Sequence, residues 1–268
     1  MSRAKTNTIG HFTSYWYLAK QLIRVSLTVE FKKSFIGLFW LFLSPILAVI
    51  IWIFLHSAGV VTPGETVIPY PAYVLLSTSI WGFFIELYRQ VSLLLSTNNQ
   101  VLVSVSFPIE ALIIERIAVH LIRFVIPLII NIIVLVLFGI KLHWISFLFP
   151  LALLPLLCLG LSLGLITAIF RIVMVDIARL MDQGLGLLMY FTPVIYSPDI
   201  PISWLQDLVL LNPLTYLVGV PRDLLTQGTY SNLPAFAAGS VFSFLLLLLT
   251  FTLFKKTQKK VLERFINN

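Results

Sequence analysis

Charge is the scarcest resource in this 268-residue chain: Asp, Glu, Lys and Arg together make up 11% of it. Seven stretches of 16 to 31 residues hold none of the four, and six of these are apolar: 34–64, 66–85, 124–140, 142–170, 183–198 and 224–254. The seventh, 90–109, is rich in Gln, Ser, Thr and Asn. With a mean hydropathy of +1.00, a soluble two-domain protein is excluded. Cysteine is nearly absent as well. Cys158 stands alone in an apolar run, so no disulfide forms within the chain and the thiol reads as a small core hydrophobe. There is no G-x-x-x-x-G-K-[ST] loop to cradle a nucleotide phosphate. The four histidines, His11, His56, His120 and His143, are scattered without metal-ligand spacing. No Ser has a His and an acid at a shared depth, so no catalytic residue, metal site or cofactor is expected in this chain. No repeat or low-complexity segment occurs.

What is present is enough apolar length to cross a bilayer several times. A hydrocarbon core about 30 Å thick takes roughly 20 helical residues, and helical they must be, because lipid satisfies no backbone polar group. The expected fold is an all-α membrane protein with six transmembrane helices over 34–56, 70–95, 112–138, 144–170, 179–197 and 235–254, forming a single transmembrane unit over 1–268. The first apolar run follows a charged head and is too long for a signal h-region, so no cleavable signal peptide is expected. Six Lys and Arg residues lie in the head (Arg3, Lys5, Lys20, Arg24, Lys32, Lys33) and five in the tail (Lys255, Lys256, Lys259, Lys260, Arg264), whereas the outer loops hold Lys141 and Arg222. The excess of positive charge at both ends places both termini in the cytoplasm, which needs an even number of crossings. The net charge of +7 is then a topology signal, aided by anionic membrane lipids, and calls for no nucleic acid.

Two segments depart from simple spans. Over 11–33, Lys20, Gln21, Arg24, Thr28 and Lys32 share one arc while Phe12, Tyr15, Ala19, Leu22, Ile23 and Val29 fill the other. This predicts an interfacial amphipathic helix, with a soluble juxtamembrane helix as the alternative. After the short span closed by Pro193 and Pro198, the apolar segment 199–228 is broken by Pro201, Pro213 and Pro221. It reads as a re-entrant hairpin between spans 5 and 6 on the outer side, admissible where protein covers its backbone.

Candidate substrate-path residues follow from charge and aromaticity. Glu86 and Arg89 can pair three residues apart near the inner edge of the hydrocarbon, as a functional pair or as snorkelling anchors. Arg116, His120 and Arg123 fall within about 60° of arc on one helix, with Glu115 beside them. That basic stripe suits a diphosphate-bearing substrate or simply marks the interface. Tyr190, Phe191, Tyr196, Trp204 and Tyr216 cluster around the short span and the broken hairpin, where aromatic faces could stack on sugar rings or form an interfacial belt. Finally, the 96–110 loop lacks Lys and Arg, yet carries Val101, Leu102, Val103, Val105 and Phe107. These would be exposed apolar side chains unless a docking partner or the membrane surface covers them.

Four stretches resemble the membrane permease subunit of type-2 ATP-binding-cassette exporters, specifically the polysaccharide and teichoic-acid export permeases. FKKSFIGLFWLFLSP opens span 1 with Ser34, Gly37, Trp40 and Pro45. YPAYVLLSTSIWGFFIE starts span 2, and SFPIEALIIER follows the 96–106 loop. DIARLMDQGLGLLMYFTPVIYSP, LLNPLTYLV and RDLL match span 5 and the hairpin. One departure stands out: Val175 occupies the place before Asp176 where the family usually has Arg, leaving Arg171 or Arg179 to supply that charge. The resemblance implies a homodimer above two copies of a separate phosphate-loop ATPase, which would hold the ATP and Mg. It also implies docking by the 96–110 coupling loop and the N-terminal helix, and a place in the cell inner (cytoplasmic) membrane. The implied activity is ATP-driven export of a lipid-linked polysaccharide, O-antigen foremost, with teichoic acid or capsular polysaccharide as alternatives. An ion-coupled secondary transporter would need ionisable groups at mid-membrane, which spans 1, 4 and 6 lack. A membrane glycosyl- or acyltransferase would need paired acids or a His at the substrate depth.

Overall fold

The computed structural model describes residues 16–29, 43, 46–47, 50–60, 64–98 and 108–266. Among them every regular element is helical. Helix α1 covers 16–29 and α2 covers 50–57. Then come α3 (Tyr70–Ser92), α4 (Leu94–Thr97) and α5 (Ile109–Leu137). A 3-10 turn (Trp144–Leu148) leads through α6 (Phe149–Ala152) into α7 (Leu154–Val173). After α8 (Val175–Leu188) and a second 3-10 turn (Met189–Phe191) come α9 (Ser203–Leu211), α10 (Pro213–Thr226) and α11 (Leu233–Ile266).

Three stretches are long and apolar enough to cross a membrane: Ile109–Leu137, Trp144–Val173 and Leu233–Gln258. A fourth is added if α9 and α10, bent by 79° at Asn212, count as one broken span. Among the described residues the fold is thus all helical, with helices of the length and apolarity of a multi-pass membrane protein. Of the expected first span, only 43, 46–47 and 50–56 fall among the described residues, and the loop residues 99–107 lie outside them. The expected fifth span differs from 179–197. Its helix runs from Val175 to Leu188 and gives way to a 3-10 turn before Pro193, whose missing N–H cannot continue the ladder.

Helix α3 sits at the centre of the bundle. Ile80, Phe84, Leu87 and Val91 on it are fully buried, and α5 and α7 pack against it. Lipid tails are as apolar as Leu, so burying Leu gives no drive for helices to associate in a membrane; close backbone approach and hydrogen bonds do. The α3–α7 contact illustrates this. A Cβ placed on Gly160 would meet the Phe84 carbonyl oxygen at 3.0 Å, and one on Gly164 would meet Val91 Cβ at 2.7 Å. The outer helices read the opposite way. In the apolar windows of α5 and α11 only 22% and 17% of residues are buried, against 56% in Trp144–Val173. Apolar faces so exposed suit hydrocarbon.

At one end of the bundle α1 touches the core, with Ala19 buried and Leu22 packed on the cluster of Leu87, Val91, Leu94, Leu165 and Phe254. Helix α11 carries Lys255 and Lys256 at the same end, where Lys255 Nζ lies 4.6 Å from the Phe251 ring centre. The opposite end holds the α9–α10 bend and the 228–232 turn into α11.

Candidate substrate path

Two polar clusters, one near each end of α3, bind the bundle together. At the lysine-bearing end, Arg171 from the last turn of α7 donates through Nη2 to both oxygens of Asp182 on α8, at 2.8 and 3.0 Å. Arg171 Nε also donates to the Ser92 carbonyl at 3.2 Å, and the Tyr88 hydroxyl donates to Asp182 Oδ1 at 2.7 Å. This cluster borders a cleft of about 290 Å³ that Arg89 also lines. It ties α3, α7 and α8 together where the chain turns back on itself. Asp176 pairs instead with Arg179, one helical turn on, at 3.5 Å and in the open. Arg179 therefore stands beside Asp176, while Arg171 is committed elsewhere.

At the other end the key pair is consecutive in sequence. Arg222 and Asp223 of α10 are both more than nine-tenths buried. Arg222 Nε donates to Asp223 Oδ1 at 3.3 Å. Its Nη1 donates to the Tyr73 hydroxyl at 2.7 Å and to the Pro193 carbonyl at 3.3 Å, and the guanidinium lies 4.5 Å over the Tyr73 ring. The Tyr73 hydroxyl in turn has two carbonyl acceptors within reach of its single proton, Tyr196 at 2.8 Å and Pro193 at 3.1 Å. Ser231 donates to Asp223 Oδ2. The network satisfies the carbonyls that the 193–196 turn leaves without helical partners.

The predicted aromatics occupy this same half of the molecule. Tyr190, Phe191 and Trp204 are exposed, while Tyr196 and Tyr216 are half-buried. Tyr196 donates through its hydroxyl to the Tyr190 carbonyl at 3.0 Å, and Tyr216 to the Leu210 carbonyl at 2.8 Å. Asn212 connects the two groups. Its carboxamide caps α10 by accepting from the Leu214 N–H and donates to the Phe191 carbonyl and to Thr192 Oγ1, each at 3.0 Å. The bend between α9 and α10 is thereby fastened to the 190–192 turn that presents Tyr190 and Phe191.

The predicted charges behave differently. Glu86 and Arg89 pair at 3.7 Å on an exposed face of α3. Arg116 sits 3.4 Å from Glu115, which is 2% exposed, and His120 is buried with its ring 4.7 Å from that of Phe83. Of the expected stripe of Arg116, His120 and Arg123, His120 is therefore committed to packing against α3, while Arg116 and Arg123 are half-buried. Val101, Leu102, Val103, Val105 and Phe107 lie outside the described residues. Sequence reasoning did not single out the Arg222–Asp223–Tyr73 network as a site. Its one signal was two adjacent opposite charges inside an otherwise apolar helix, where a charge persists only if paired.

Among the described residues no cluster of three or more His, Cys, Asp or Glu side chains is placed to hold a metal ion. No family model matches the chain. It is 25% identical over 210 residues to the O-antigen export system permease protein RfbA of Myxococcus xanthus, covering 76% of this chain and 78% of that protein. It is 21% identical over 211 residues to the Klebsiella pneumoniae protein of the same name, again covering 76% and 78%. These two likenesses bear out the resemblance of this chain to the membrane permease subunits of type-2 ATP-binding-cassette exporters.

Proposed function

We propose that this protein is the transmembrane subunit of an ATP-driven exporter that moves a lipid-linked polysaccharide, O-antigen foremost, across the inner membrane. The observation that carries the reading is the likeness to two O-antigen export permeases over three quarters of the chain, joined to an all-helical apolar bundle without a phosphate loop. A transport subunit of this kind needs a separate phosphate-loop ATPase, which supplies ATP hydrolysis when bound. In this reading two copies of the chain pair above two ATPase subunits, six helices span the membrane in each copy, and both termini are cytoplasmic. The α9–α10 pair is the re-entrant hairpin, α1 lies along the inner interface, and 96–110 is the coupling loop. Polymer passes along a path walled by α8, the 189–196 turn and the hairpin, with Tyr190, Phe191 and Trp204 offering faces to sugar rings. Arg89, Arg116 and Arg123 receive the diphosphate at the inner side.

The test is genetic and biochemical together. Deleting the gene should remove the polysaccharide from the cell surface while lipid-linked polymer accumulates inside, and restoring the gene should reverse both. The purified chain should hydrolyse no ATP alone and should co-purify with an ATPase that does. Unchanged surface polysaccharide in the deletion strain would overturn the assignment.

A further inference from the structure

A cavity of about 310 Å³ opens at the end of the bundle where α11 begins, lined by Glu65, Asp199, Arg222, Asp223, Tyr230 and Ser231 among others. We propose that this cavity is a binding site for a neutral, hydroxyl-rich sugar unit of the exported polymer; the proposal rests on the export reading above and adds to it a place and a ligand class. Its volume falls at the lower edge of the range of about 300–1,000 Å³ typical of small-ligand sites, which suits a short saccharide unit.

The chemistry of the wall selects the ligand. Arg222 and Asp223 are adjacent and nine-tenths buried, so a fixed donor and a fixed acceptor stand side by side at the cavity. Both are held in place by each other and by partners in and behind the cavity wall: Arg222 donates to Asp223, Tyr73 and the Pro193 carbonyl grip the guanidinium, and Ser231, which also lines the cavity, donates to the carboxylate. Because the two charges already neutralise each other, the pair does not call for an ionic ligand, whereas a vicinal diol, with a donor and an acceptor on each hydroxyl, can accept from the guanidinium and donate to the carboxylate's further lone pairs. Three carboxylates, of Glu65, Asp199 and Asp223, face one guanidinium among the lining residues. That balance repels phosphate, sulfate and uronate groups. Among the described residues these three carboxylates are not gathered into a cluster placed to hold a metal ion. The apolar side of a sugar ring needs an aromatic face. Tyr73 cannot give one, because the Arg222 guanidinium covers its ring. Tyr230, half exposed at the cavity, can.

The experiment measures binding and export side by side. Purified permease in nanodiscs is titrated with neutral hexasaccharides of glucose, mannose and rhamnose, and with hexagalacturonate as the anionic counterpart, by ligand-detected NMR and calorimetry. The expected result is saturable binding of a neutral probe, at least tenfold weaker in Tyr230→Ala and in Asp223→Asn, with hexagalacturonate not binding. Tyr230→Ala alters a half-exposed side chain, so it keeps the test valid should Asp223→Asn fold poorly. No saturable neutral binding, equal binding by both variants, or preference for hexagalacturonate would overturn the site. Export is scored by complementing the deletion strain with the wild-type gene. If wild type restores surface polysaccharide while the probes fail, the site is wrong and the exporter reading stands; if wild type restores nothing, the exporter reading itself has failed.

Discussion

Replacing Gly164 by Ala tests whether close backbone approach holds α3 against α7. The added methyl would lie 2.7 Å from Val91 Cβ, 2.9 Å from Val91 Cγ1 and 3.0 Å from the Tyr88 carbonyl oxygen. Ordinary van der Waals contact begins near 3.4 Å, so the helices must part by about 0.7 Å at this point. Neither Val91 Cβ nor the Tyr88 carbonyl can swing away, because both are fixed to the α3 backbone. Parting them loosens the buried cluster of Leu87, Val91, Leu161 and Leu165. Overpacking of this kind costs about 1–3 kcal/mol. Alanine returns about 0.5–1 kcal/mol as the better helix former. The net loss should centre on about 1 kcal/mol, a fall in melting temperature of roughly 2–4 °C by soluble-protein scaling, and the Gly184→Ala control, which keeps the helix-forming gain without the clash, widens the difference. The assay is thermal unfolding of the detergent-solubilised protein, followed by intrinsic fluorescence and by retention of the folded peak in size exclusion. Gly184→Ala is the control, since among the described residues nothing lies within 4 Å of its Cβ position. Adding Val91→Ala to Gly164→Ala should rescue only partly, because it removes Cγ1 but leaves the 2.7 Å clash with Cβ. A Gly164→Ala protein as stable as the Gly184→Ala control would show that the α3–α7 seam is loose and the reasoning wrong.

Three further outcomes are expected. Arg222→Leu strands Asp223 and frees the Tyr73 hydroxyl, so thermal unfolding should register a loss of about 3–5 kcal/mol, whereas the double change Arg222→Leu with Asp223→Leu should lose less. Replacing Tyr190, Phe191 and Trp204 together by Leu should leave melting within a few degrees of wild type, because all three are exposed, but lower surface polysaccharide; unchanged export would make the group an interfacial belt. Val103→Asp and Phe107→Asp should each reduce co-purification of the ATPase partner and reduce export, with insertion intact, and wild-type ATPase recovery in both would exclude docking by the 96–110 loop.

The amino-acid sequence by itself determined the solvent this protein folds in and the secondary structure it uses. Charge-free runs of bilayer length admit only helices, and the described regular elements comply. The i,i+3 pairing of Glu86 with Arg89, and the break of the chain around Pro193 and at the Asn212–Pro213 junction, were also legible, because each depends on residues close in sequence. Position in the bundle was not. Apolar spans look alike whether they face lipid or protein, so nothing in the pattern marked α3 as the buried centre or Gly160 and Gly164 as its contacts. Nor could sequence order join Tyr73 to Arg222, 149 residues apart, or Tyr88 to Asp182, 94 apart. A polar side chain in a membrane protein must find its partner wherever the fold brings one near, and only the tertiary structure decides which distant residue that is.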